Sequence, residues 1–216
     1  MQKAIFNIQN ETDFERCALQ VFKHQFENNK VYRSFCDLLY IHPSDVKEVT
    51  QIPFLPIQFF KTHQVLSTNQ SVQETFTSSG TTGAQVSKHL VADVSWYEAS
   101  YTRAFEHFYG SVKDYTVLGL LPNYLEREGS SLIYMVNDFI HKSNNPKSGF
   151  YLDTLSELTK TLIALDQKGE KVLLIGVTFA LLDLIESQVF TLKNTVIMET
   201  GGMKGRRKEM IREELH

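Results

Sequence analysis

The residues best suited to chemistry lie in "FTSSGTTGAQ", Phe76 to Gln85, where eight of ten positions are small, hydroxylated or glycine. Such side chains cannot fill a core. Thr77, Ser78, Ser79, Thr81 and Thr82 offer hydroxyls, Gly80 and Gly83 free the backbone, and Lys88 adds a positive charge. Glycine-permitted angles let several N–H groups converge on one anion, and hydroxyls add donors or reach a magnesium ion. The chemistry so outlined is phosphate binding, with a plain surface loop as the alternative. The Walker arrangement is absent, since Gln85 stands five residues after Gly80, and no G-x-G-x-x-G occurs.

A second glycine-bearing stretch, "ETGGMKG", begins at Glu199 and carries Gly201, Gly202 and Met203. It reads either as a strand-to-helix turn or as a place where backbone comes close to a ligand. Arg206, Arg207 and Lys208 follow. Cations sit badly at a helix N-terminus, so either they form a solvated first turn or an anion is near. The seven histidines show no metal spacing such as H-E-x-x-H, and no G-x-S-x-G elbow is present. No metal-ligating set is expected. The aromatics of "WYEASYTRAFEHFYG" fall at helical spacing and read as core or as the wall of an acyl pocket, not as a base-stacking surface.

These loops must be held by the elements around them. Phe14, Cys17, Ala18, Val21 and Phe22 recur at helical spacing in the first 40 residues, with Thr12 or Asp13 as a cap. "IPFLPIQFFKTH" (52–63) has prolines three apart, which favours an extended, packed segment. A helix follows from Ser95, with Ser95 and Glu98 as a capping box and Gly110 as its end. Apolar strands at 115–122, 171–177 and 194–199 and a short one at "SGFYL" alternate with helical stretches, one of them capped by Asp153 and closed by Gly169. This alternation predicts an α/β fold, a mostly parallel sheet flanked by helices on both faces. Ligands of such sheets gather outside the carboxyl ends of the strands, and both glycine-bearing loops are expected there. Residues 1–64 read as a helical lead-in and 65–216 as the nucleotide-binding core.

Composition narrows the class. The 216 residues are 42% hydrophobic and 22% charged with a net charge of −3, so no basic face invites nucleic acid. Cys17 and Cys36, 19 positions apart, form neither a disulfide framework nor a metal spacing and read as buried thiols of a reducing compartment. No run approaches the ~20 apolar residues of a membrane span, and no secretory leader opens the chain. A cytoplasmic protein is expected.

"FTSSGTTG" with a following lysine resembles the phosphate loop of the acyl-adenylate-forming superfamily. "IPFLPIQFFKTH", "LPNYLEREGSSLIYMVNDFI", "SGFYL", "IGVTFALLDL" and "ETGGMKGRRKEMIREELH" are similar to the acyl-protein synthetases of the bacterial bioluminescence fatty-acid reductase complex, luciferin-component ligases, over most of residues 50 to 216. The resemblance implies the large N-terminal domain of such enzymes, with ATP and Mg2+ as cofactors and a carboxylic, fatty acid as substrate. The acid becomes an acyl-adenylate and passes to a thiol, of a protein or of coenzyme A, with an acyl reductase as partner. It places Thr77, Ser78, Ser79, Gly80, Thr81, Thr82, Gly83 and Lys88 at the β- and γ-phosphates, and Gly201, Gly202 and Met203 beside adenine. Lys88 and Thr82 are the candidates for a catalytic role.

Two features depart from the pattern. No proline-lysine pair follows Gly83, and "AQVS" intervenes before Lys88. The chain also closes on "IREELH", where the family continues, so it is expected to be the N-terminal portion of an enzyme and inactive alone. An acyl-CoA ligase of phenylacetate-CoA ligase type, and a non-catalytic nucleotide-binding or assembly module, are the rival readings. An exposed sheet edge would make a homo-oligomer a candidate assembly.

Overall fold

Asn29 ends one helix and starts the next. Its backbone N–H bonds to the Gln25 carbonyl at 2.8 Å, while its side-chain oxygen accepts from the Tyr32 N–H at 3.1 Å. The computed structural model describes residues 2–78, 85–121, 129–201, 207 and 210, and divides into two compact units, Met1–Ser100 and Tyr101–His216. The expected lead-in of residues 1–64 lies inside the first.

In the first unit α1 (Gln2–Ile5) precedes α2 (Glu11–Asn28), α3 (Lys30–Leu38) and the short α4 (Phe59–Thr62). The cap of α2 is Asn10, whose Oδ1 accepts from the Asp13 N–H at 2.9 Å, and not Thr12 or Asp13. Those two are already helical. Phe22, Phe26, Tyr32, Cys36 and Val46 form the core, with Leu19, Phe35, Ile41, Ile52 and Leu55 packed on it. The proline-bearing segment is extended only as far as Pro56; beyond the second ring, α4 forms and Phe59 meets Phe35 at 5.8 Å. The Tyr32 hydroxyl donates to the Pro53 carbonyl at 2.7 Å and pins the extended part.

Next come β1 (Glu74–Thr77) and β2 (Lys88–Val91), an antiparallel pair, and then α5 (Ser95–Tyr109), within which the division between the units falls. Ser95 is not the cap of α5. It is the first helical residue, and its hydroxyl donates to Asp93 Oδ1 at 2.6 Å. Gly110, at φ +81°, follows the helix as expected.

The second unit holds β3 (Thr116–Leu120), α6 (Ser131–Ser143), β4 (Gly149–Phe150), α7 (Leu155–Gln167), β5 (Val172–Gly176), α8 (Thr178–Ser187) and β6 (Thr195–Glu199). The strands are ordered β4-β3-β5-β6 and all three pairings are parallel. Successive strand residues face opposite sides of a sheet, so β3 and β5, buried at all five positions, are covered on both faces. Helices α6, α7 and α8 contribute Val136, Phe139, Leu158, Leu162, Leu165 and Leu184 to that core. The expected α/β architecture is present. Asp153 does not cap α7; the N-cap position is Thr154. Residues expected to form a final helix lie outside the described residues, save Arg207 and Met210. No helix of the described residues is long and apolar enough to cross a membrane.

Asp166, near the end of α7, ties the sheet margin down. Its carboxylate accepts from the Asn194 N–H at 2.8 Å, the Lys193 N–H at 2.9 Å and the Thr195 hydroxyl at 3.3 Å. These bonds, led by the one from Asn194, hold the carboxyl below the usual aspartate range.

Candidate functional site

The hydroxyl-rich loop hangs on a two-stranded antiparallel hairpin in the first unit, not on a strand of the parallel sheet. This corrects the expected placement. Hairpin loops are mostly two to five residues, and here ten separate Thr77 from Lys88, so the pairing of "ETFT" with "KHLV" is hard to see in the sequence.

Thr77 and Lys88 are register partners, which puts their side chains on one face at the end of the hairpin. Beyond them the Ser78 N–H bonds to the Ser87 carbonyl at 3.1 Å, and the Ser87 N–H to Ser78 Oγ at 3.0 Å. Ser78 thus closes the neck of the loop, its Oγ acting as an acceptor. Lys88 is exposed, and no carboxylate pairs with it among the described residues. Gln85 is anchored by a 2.7 Å bond from its amide nitrogen to the Lys61 carbonyl. Phe76 is buried, 5.2 Å from the Tyr97 ring, and His89 stacks on Phe60 at 5.8 Å. The hairpin is therefore fastened by rings behind the mouth, leaving hydroxyls and one cation in front. Ser79, Gly80, Thr81, Thr82 and Gly83 lie outside the described residues.

In the second unit, register places Leu120, Gly176 and Glu199 side by side at the carboxyl end of the parallel sheet. Thr200 follows, bonding to the Gly176 carbonyl through its N–H at 3.0 Å and its hydroxyl at 3.1 Å. Gly201 has φ +77°, a left-handed conformation that side chains resist, and its N–H bonds to Glu199 Oε1 at 2.7 Å. The buried Thr178, first residue of α8, donates its hydroxyl to the same oxygen. Gly201 follows β6, the last strand in the order β4-β3-β5-β6, at its carboxyl end. Gly202 and Met203 lie outside the described residues.

Arg207 finds its anions within the protein. Its guanidinium contacts Asp183, and its Nη1 and Nη2 each lie 2.7 Å from a Glu186 oxygen. The pairing holds Glu186 below the usual carboxylate range and drives the guanidinium further up. Sequence reasoning missed Glu199, Thr178, Asp183 and Glu186. The acidic pair, three residues apart on a helix, was the one signal that could have found them.

Beside α8 and β6 runs a cleft of about 170 Å³, lined by Leu174, Leu181, Leu184, Phe190 and Ile197, and also by Glu199. Ile197, on the margin strand, is 52% exposed.

Comparison with known proteins places the first of these two arrangements. Residues 4–110 match the family described as acyl-protein synthetase, LuxE. A long-chain-fatty-acid–luciferin-component ligase from Photorhabdus luminescens is 30% identical over 70 residues, 32% of this chain and 60% of that protein. The chain thus spans about 60% of the length of that relative. The family match takes in α2 and α3, which the resemblance drawn on residues 50 to 216 leaves out. The segment 4–110, which carries the hydroxyl-rich hairpin and Lys88, is thus the part of this chain that is similar to the acyl-protein synthetase family, LuxE.

Proposed function

We propose that this chain carries the polyphosphate-gripping part of an ATP-dependent ligase that activates a fatty acid for transfer to a thiol. One observation carries the reading: the exposed Lys88 and the hydroxyls of Thr77 and Ser78 share the mouth of one hairpin. A cation beside hydroxyls, paired with no carboxylate among the described residues, suits an anion better than it suits a core.

The described residues fit the group. Magnesium-bound ATP would supply the electrophilic α-phosphorus and the pyrophosphate leaving group. A carboxylate oxygen forms the new bond to that phosphorus as the bond to pyrophosphate breaks. A thiolate then attacks the acyl carbon, and AMP departs. The displacement demands little acid–base help and much positioning and charge neutralisation. Thr77 and Ser78 orient the chain entering the loop, with the neck set by the Ser78–Ser87 bonds. Lys88 balances the charge that builds on the departing phosphates. The apolar cleft of the second unit supports an aliphatic acyl group. Cys17 and Cys36 are buried, so the acceptor thiol of this reading is a different one, of a protein or of coenzyme A.

A lysine about 4 Å from a phosphate contributes between ~1 kcal/mol in water and ~4 kcal/mol at an effective dielectric of 20. Lys88→Ala is therefore expected to weaken binding of magnesium-ATP at least fivefold, measured by titration calorimetry on the 216-residue chain, with AMP affinity unchanged. Absence of ATP binding by the unaltered chain, or equal ATP affinity in the variant, would overturn the reading.

A further inference from the structure

The cleft beside α8 and β6 lies wholly within the second unit. Residues two apart on a strand share a face, and Ile197 and Glu199 of β6 both line it. Leu174, the register partner of Ile197 on β5, continues that wall, and Leu181, Ile185 and Phe190 add to it. Ile185 and Ile197 are each more than half exposed, so apolar surface is left in water there. Among the described residues that line the cleft, Glu199 alone is charged. Its Oε1 accepts from the Thr178 hydroxyl and from the Gly201 N–H. Its Oε2 has no hydrogen-bond or ion-pair partner among the described residues, and Arg207 is engaged by Asp183 and Glu186 instead.

A single carboxylate in an apolar cleft selects the sign of what enters. An anion meets it as a like charge, a neutral apolar molecule gains only the walls, and an ammonium ion gains both. Size sets a second limit. The cleft measures about 170 Å³, and an apolar cavity of ~150 Å³ lined by Leu, Ile and Phe holds one benzene ring. We propose that this cleft is a binding site for a small primary ammonium ion whose apolar body is about the size of one ring. The ammonium sits on Glu199, and the body lies against Leu174, Ile197 and Phe190. The site goes beyond the proposed function. An acyl chain can use the same walls only with its acid end turned away from Glu199, so the ammonium ligand would compete with it.

Nuclear magnetic resonance titration of the leucine and isoleucine methyl groups of the 216-residue chain tests this, with benzylammonium, benzyl alcohol and benzoate as probes. Benzylammonium should bind with a roughly millimolar dissociation constant, as about eight non-hydrogen atoms allow. Its shifts should centre on Leu174, Leu181, Ile185 and Ile197. Benzyl alcohol should bind about fivefold more weakly, the share of one exposed ion pair, and benzoate more weakly still. Glu199→Gln keeps an Oε1 acceptor for Thr178 and Gly201 and removes the charge. It should bring benzylammonium down to the affinity of the alcohol and leave the alcohol unchanged. If that variant does not fold, the three probes on the unaltered chain carry the test. No saturable binding of benzylammonium, benzoate binding as tightly, shifts centred elsewhere, or a preference that survives Glu199→Gln would overturn the proposal. None of the probes is a nucleotide, so each of these outcomes leaves the ATP reading where the calorimetry puts it.

Discussion

Gly176 is the last residue of β5, and its carbonyl holds Thr200 in place. A Cβ added there would lie 2.8 Å from Leu181 Cγ, 2.9 Å from Leu181 Cδ2 and 3.2 Å from Leu120 Cβ. Two effects oppose each other in Gly176→Ala. Removing a glycine from a strand gains roughly 0.5–1 kcal/mol by narrowing the unfolded ensemble and favouring the strand. Overpacking a filled core costs typically ~1–3 kcal/mol. The overlap with Leu181 falls on its branch carbon, close to the rigid helix, and Leu120 Cβ has no rotamer by which to retreat. Overpacking should win, for a net loss of about 1–2 kcal/mol. With a urea m-value near ~2 kcal/mol per molar, the midpoint should fall by roughly 0.5–1 M, followed by far-ultraviolet circular dichroism. Gly149→Ala is the internal control. Its added Cβ would meet only Tyr151 Cε2, at 3.7 Å, an ordinary contact. That variant should be neutral, or up to ~1 kcal/mol more stable. Equal midpoints for the two variants, or a rise for Gly176→Ala, would refute the argument that the helix–strand approach at the sheet mouth is what requires glycine.

Asn29→Ala removes the acceptor for the buried Tyr32 N–H and should cost about 1–2 kcal/mol, read from thermal unfolding. Asp166 gives a pH signature. Its folded pKa lies below the unfolded one, so its contribution is fully present above the unfolded value, near ~3.9, and disappears as pH falls through the folded value. The melting temperature of Asp166→Asn should therefore lie below that of the unaltered chain at neutral pH, and the gap should shrink below about pH 4.

Much of the second unit is legible in the sequence. "TVLGL" and "VLLIG" are apolar at nearly every position, which only a strand covered on both faces tolerates, and the helices between them enforce parallel pairing. Helix ends marked by Gly110 and Gly169 are equally plain, since both adopt positive φ. Other features are hidden for a physical reason. The break at Asn29 hides inside uninterrupted helical periodicity, because asparagine can cap two helices while leaving the apolar spacing on either side intact. Ser95 and Asp153 look like caps by type, yet Ser95 is already helical and donates to Asp93, and Thr154 holds the cap position of α7. A cap shifts by a residue or two at little cost, so type alone does not locate it. The candidate site divides in the same way. Loop composition points to Thr77, Ser78 and Lys88 directly, but the antiparallel frame beneath them and the Glu199–Thr178 contact depend on pairings ten or more residues apart.

The two thiols bear on the fate of the activated acid in the proposed reaction. Cys36 has no exposed surface, and burial pushes its thiol up, away from the thiolate that would act as nucleophile. Cys17 is 4% exposed on the buried side of α2. Reaching Cys36 would mean opening the core that Phe22, Phe26 and Tyr32 close. In the proposed reaction the activated acid would need a thiol other than Cys17 and Cys36, and until it met one it would remain a mixed anhydride prone to hydrolysis. The requirement then falls on enclosure as much as on phosphate binding. In the proposed reaction an apolar cleft such as the one beside α8 and β6 would keep water from the carbonyl better than an open surface would. By this logic, substitutions that loosen α8 should raise wasteful hydrolysis of the activated acid before they abolish its formation.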